Sequence, residues 1–136
     1  MNHEGHEGRE ETGKGLERIV GEIFDAGLKV HKALGPGLLE SAYEHCLAYE
    51  LQVRGLSLRR QAPLPIIYEG LRLDAGYRLD LLVEDKVIVE IKATEALLDI
   101  HKAQMLTYLK LARLRLGLLM NFNVVLFKHG VKRLAL

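Results

Sequence analysis

Apolar and polar positions divide the chain into two helical stretches, a run of strands, a third helix and closing strands. Leu16, Ile19, Val20, Ile23, Phe24, Val30 and Leu34 recur at intervals of three and four, which predicts a helix buried along one side. Gly35-Pro36-Gly37 ends it, because the residue before a proline is disfavoured in the helical region. A second helix is predicted over Leu38–Arg54, with Leu39, Ala42, Tyr43, Cys46, Leu47 and Leu51 on one face and Gly55 to stop it. Beyond Gly55 the period shortens to two. Ser57–Gln61 and Leu64–Tyr68 are short strand candidates, and Pro63 and Pro65 suit a sheet edge. Tyr77–Val83 and Val87–Ala93 are stronger strands joined by the polar tip Glu84-Asp85-Lys86. A third helix follows over Leu98–Arg115, then strands at Leu116–Asn121, more weakly at Val124–Lys128, and a short last one at Val131–Leu136. The predicted class is α/β, a mixed central β-sheet flanked by helices in the order α-α-β-β-β-β-α-β.

Composition narrows the reading without naming a chemistry. At 136 residues, 49% hydrophobic and 27% charged, the chain is sized and composed for one folded domain. No apolar run approaches the ~18 residues of a membrane span. The opening MNHEGHEGREETGKG has no apolar residue after Met1, so residues 1–15 read as a mobile polar tail rather than a secretory signal, leaving 16–136 as the domain. A single cysteine, Cys46, can form neither an internal disulfide nor a multi-cysteine zinc site, which suits a reducing cytoplasm. The net charge is +1, and the tail carries four acids against two bases, so the rest is slightly basic. That is a weak pointer to an anionic partner.

The chemistry concentrates in YRLDLLVEDKVIVEIKA, residues 77–93. Val87, Ile88, Val89 and Ile91 mark a central strand, apolar on both faces. Glu90 and Lys92 interrupt it two residues apart and therefore share a face. Burying a lone carboxylate or ammonium costs several kcal/mol unless it is paired or metal-bound. Asp80 interrupts the preceding strand in the same way. With a three-residue loop, Glu84–Lys86, Val83 pairs with Val87 and Asp80 falls opposite Glu90 on the same face. A two-residue loop would put the carboxylates on opposite faces. Two facing carboxylates ionise together near neutrality only around a cation, and all-oxygen ligands favour Mg²⁺, Mn²⁺ or Ca²⁺ over zinc. Lys92 could orient a water or steady phosphate charge; the bland alternative is a buried ion pair with Asp80 or Glu90. His101, Gln104 and Tyr108 form a polar-capable stripe on the third helix. Glu40 sits one turn before Tyr43 on the second, where an acid also complements the helix dipole.

Gly37-Leu38-Leu39-Glu40-Ser41-Ala42-Tyr43 resembles the signature of the GxxExxY protein family. The resemblance continues through PLPIIYEG, YRLDLLVEDKVIVEIKA, the third helix and GLLMNFN, from about residue 16 to the C-terminus. That family is similar to the PD-(D/E)XK nuclease superfamily, which implies a restriction-endonuclease-like core. By this resemblance Asp80 is the motif aspartate and Glu90 and Lys92 supply E-x-K. Glu40 would join the metal site, with the Ile91 carbonyl as a further ligand. Gln104 to Tyr108 is similar to the Q-x-x-x-Y helix motif of RecB-type nucleases, where it supports the site; Tyr43 and His101 are counted with these supporting residues. Leu79 replaces the proline of the superfamily's name.

Two functions follow as expectations. The first is a nuclease using Mg²⁺ or Mn²⁺ to hydrolyse phosphodiester bonds of DNA, less readily RNA. The second is a non-catalytic nucleic-acid-binding or assembly module that keeps the fold. A module this small buries limited nucleic-acid surface, so a homodimer is expected with either, and no membrane.

Overall fold

The computed structural model describes the backbone of residues 2–136 and the side chains of residues 15–136; apart from Gly15, the tail expected over 1–15 lies outside the residues whose side chains are described. The elements in chain order are α1 (Asn2–Leu34), α2 (Glu40–Val53), β1 (Leu58–Pro63), β2 (Ile66–Tyr68), β3 (Leu71–Leu73), β4 (Arg78–Val83), β5 (Val87–Lys92), α3 (Asp99–Ala112), β6 (Leu116–Asn121), a 3-10 turn (Phe127–Gly130) and β7 (Val131–Ala135). Five strands form one sheet in the order β1-β4-β5-β6-β7. Only β5 and β6 run parallel, because α3 returns the chain across the sheet between them; the other neighbours are antiparallel.

The sheet is covered on both sides, which explains why β5 and β6 are buried along their length and mostly apolar. On one side Ile19, Ile23, Ala26 and Val30 of α1 and Tyr43, Leu47 and Leu51 of α2 meet Leu81, Val83, Val87, Val89, Leu118 and Met120. On the other, Met105, Tyr108 and Leu109 of α3 meet Leu82, Ile88 and Leu119. Alternation along β5 sends Val87, Val89 and Ile91 to the α1/α2 side and Ile88 to α3, so Glu90 and Lys92 belong to the α3 face.

One step breaks the alternation. Ala62 and Leu79 both join the α3-side core, although counting forward from Leu58 and back from Leu81 would put them on the other face. The inversion occurs where the β1–β4 ladder skips the pair Gln61 and Asp80, and Gln61 has a positive φ of 49° there.

Two segments differ from the sequence pattern. Val124–Lys128 is no strand: its apolar residues serve one anchor, Phe127, buried against Phe24 at 5.5 Å between ring centroids, while Val125 is 88% exposed. Of Leu64–Tyr68 only Ile66–Tyr68 is extended, and it pairs with the unforeseen β3 in a separate two-stranded hairpin. The connecting Glu69 and Gly70 both have positive φ, the geometry of a two-residue hairpin turn. Glutamate is a rare first residue for it, so the turn was not legible.

Candidate active site

The β4–β5 hairpin has the expected three-residue connection, with Val83↔Val87, Leu82↔Ile88 and Leu81↔Val89 in register. Asp80 and Glu90 are next in line, and there the ladder stops. The Asp80 N–H donates to Glu90 Oε2 at 2.7 Å, and the Ile91 N–H donates to Asp80 Oδ2 at 2.8 Å. Each carboxylate thus takes the place of a strand carbonyl on the partner strand. The exchange satisfies two amides and fixes both side chains, so neither acid can swing to solvent without orphaning a backbone donor.

Their electrostatics follow from this placement. Glu90 is only 6% exposed, and burial, followed by the charge of Asp80, pushes its carboxyl up to about 8 against the lowering influence of the Asp80 N–H and Lys92. Asp80 is also raised, chiefly by burial, with the charges of Glu44 and Glu40 adding to it; the Ile91 N–H and Gln61 pull the other way. The pair therefore holds its negative charge poorly without a cation.

The donor set fits a hard divalent cation. All its atoms are oxygens, and Glu90 Oε1 has no hydrogen bond among the described residues. No group of three or more His, Cys, Asp or Glu side chains suited to a metal occurs among the described residues. Two carboxylates with the remaining positions left to water or phosphate is the usual manner of holding Mg²⁺.

The other predicted residues divide into two groups. Lys92 shares the Glu90 face, is half-buried, and makes no ion pair among the described residues, so the buried Lys92–carboxylate bridge is not formed. Tyr108 is buried on α3; burial, then the charges of Glu90, Tyr77 and Asp80, raise its phenol, which marks it as their neighbour. Gln104, one turn before it, is exposed. Glu40 is exposed in the first turn of α2, and Asp80 feels its charge less than that of Glu44.

Ile91 contributes its amide to Asp80, and its side chain is core. His101 is spent on helix capping: its Nδ1 accepts the Leu98 N–H at 3.0 Å. Tyr43 is fully buried and stacks on Phe122 at 4.5 Å. Its hydroxyl donates to the Gly35 carbonyl at 2.6 Å and accepts the Leu38 N–H at 3.0 Å. Tyr43 thus clamps the turn in which Gly37 takes φ 97°, and so fixes where α2 and Glu40 begin.

Two residues at the site were not foreseen. Glu44 is 8% exposed and accepts from Arg60 Nη2 at 3.0 Å and Nε at 3.2 Å. Gln61 Nε2 donates to Glu44 Oε1 at 2.7 Å and to Asp80 Oδ1 at 3.3 Å. The only signal for Glu44 was its place one turn after Glu40. Gln61 gave none, since nothing in a strand pattern marks a left-handed residue.

Helices on both sides of a mixed sheet, with Asp on one central strand and Glu-x-Lys on the next, are now joined by a comparison. A family model of the PD-(D/E)XK nuclease superfamily matches residues 17–134. The chain belongs to the PD-(D/E)XK nuclease superfamily. The match spans every element that builds the carboxylate pair, and the five-stranded mixed sheet is consistent with the restriction-endonuclease-like fold of a PD-(D/E)XK protein. No curated protein and no solved structure compared with the chain matches it. Among the described residues of this PD-(D/E)XK chain, no helix is long and apolar enough to cross a membrane.

Proposed function

We propose that this protein is a metal-dependent nuclease that hydrolyses phosphodiester bonds in nucleic acid, DNA in preference to RNA. The observation that carries the reading is the reciprocal Asp80–Glu90 pair. Two carboxylates are locked by each other's strand amides, and burial makes their negative charge costly until a cation arrives. For stability alone, apolar residues at both positions would serve better.

Asp80 and Glu90 would hold Mg²⁺ or Mn²⁺, with the Ile91 carbonyl as a further ligand; Glu40, exposed in the first turn of α2 and in no group of three acids among the described residues, is not counted among them. When bound, such an ion polarises a phosphoryl oxygen and acidifies a water. Lys92, on the Glu90 face, would steady developing phosphate charge or orient the attacking water. Tyr108, a neighbour of the pair on α3, and the exposed Gln104 one turn before it would position the substrate.

The test is cleavage of single- and double-stranded DNA and RNA with Mg²⁺ or Mn²⁺, for wild type and Lys92→Ala. We expect cutting by the wild type, and loss of at least 100-fold in Lys92→Ala with Mn²⁺ affinity retained, roughly the contribution of one electrostatic stabiliser. Binding of all four substrates without cleavage, across several divalent ions, would replace the nuclease with a binding module.

A further inference from the structure

Gln61 occupies a backbone conformation that a residue with a side chain adopts reluctantly, and it does so inside a strand. Its φ of 49° coincides with the one missing rung between β1 and β4, opposite Asp80, where both strands exchange their inward and outward faces. Such strain persists only where surrounding contacts hold it, and here they do. The Gln61 carbonyl accepts Arg78 Nη1 at 3.1 Å, while its side-chain amide donates to Glu44 and to Asp80. Glu44 is itself tied on its other oxygen by Arg60.

We propose that Gln61 is a positioning residue for Asp80, its amide holding one carboxylate rotamer while standing between the like charges of Asp80 and Glu44. The assignment rests on reading Asp80 and Glu90 as a metal pair, and three features support it. With Ile91 donating to Oδ2 and Gln61 to Oδ1, both Asp80 oxygens have a donor, yet each keeps a lone pair for a ligand. A neutral amide is the one group of this size that can donate to two carboxylates at once without adding charge between them. The Arg60–Glu44 pair anchors the chain of contacts to α2, so the orientation of Asp80 is referred to a packed helix and not to the edge strand alone. Outer contacts of this kind orient metal ligands, and losing one typically weakens metal binding 10–100-fold.

Gln61→Gly separates positioning from folding, because glycine accepts the left-handed backbone freely. The variant should unfold in EDTA at or above the wild-type urea midpoint, while its Mn²⁺ affinity, read by calorimetry and by the Mn²⁺ paramagnetic resonance signal, falls at least tenfold. Gln61→Asn, whose shorter amide also tolerates this backbone but cannot span both carboxylates, should show a loss in the same direction and covers the case of a poorly folding glycine variant. Glu90→Gln is the reference for a lost ligand. Wild-type Mn²⁺ affinity in both folded variants overturns the role of Gln61 and leaves the metal pair standing. Failure of the wild type to bind Mn²⁺ overturns the metal pair, and the positioning role with it.

Discussion

Removing the charge of Glu90 should make the metal-free protein more stable, and by an amount that depends on pH. In the folded protein Glu90 takes its proton up to about pH 8, whereas in the unfolded chain it ionises near 4.5. Below pH 4.5 both states are protonated and the group has no effect. Between 4.5 and 8 the unfolded state has released the proton and the native state has not, so stability falls as pH rises. Above about 8 the full penalty is present. At ~1.4 kcal/mol per pH unit of displacement it is on the order of 4–5 kcal/mol. A domain of this size has roughly 5–15 kcal/mol in total, so the penalty is a large share of it.

Glu90→Gln keeps the carbonyl that accepts the Asp80 N–H and removes the charge. Its unfolding free energy in EDTA should match the wild type near pH 5 and exceed it by several kcal/mol at pH 9. Urea unfolding followed by circular dichroism suits a chain with no tryptophan. The difference between the two proteins reports Glu90 together with its coupling to Asp80, with the more distant titrating groups cancelled. Adding Mg²⁺ at pH 9 should raise the wild type toward the variant and leave the variant unmoved. A wild-type-minus-variant difference that stays flat from pH 5 to 9 would refute the buried, mutually repelling pair.

Asp80→Asn should leave the metal-free protein within about 1 kcal/mol of wild type, because the Ile91 amide keeps an acceptor, and should abolish stabilisation by Mn²⁺ in thermal melts; a large loss with and without metal would assign Asp80 to structure alone. Tyr43→Phe should cost about 1–2 kcal/mol in urea unfolding through the Gly35 and Leu38 contacts and leave Mn²⁺ affinity unchanged, whereas an affinity loss at constant stability would place Tyr43 in the site. Gly130→Ala should destabilise by about 2–3 kcal/mol, since a β-carbon there would collide with the Asn121 carbonyl; a neutral result would mean that this backbone moves aside easily.

The sequence alone determined the parts of this protein governed by local periodicity and by strand parity. The helical stripes through Ile19 to Val30 and Tyr43 to Leu51, the central β5, and the hairpin register that leaves Asp80 and Glu90 next in line all follow from repeats of 3.6 and two plus the length of one loop. Tertiary structure decided what depends on which segments meet. Glu44 is an ordinary helical acid until β1 brings Arg60 and Gln61 against it. His101 reads as a site residue until α3 starts at Asp99 and uses it as a cap. The face inversion at Gln61 and Asp80 has no local signature, because glutamine has no preference for positive φ. Contacts with Arg78, Glu44 and Asp80 hold it there, and those partners lie 17 to 19 residues away along the chain.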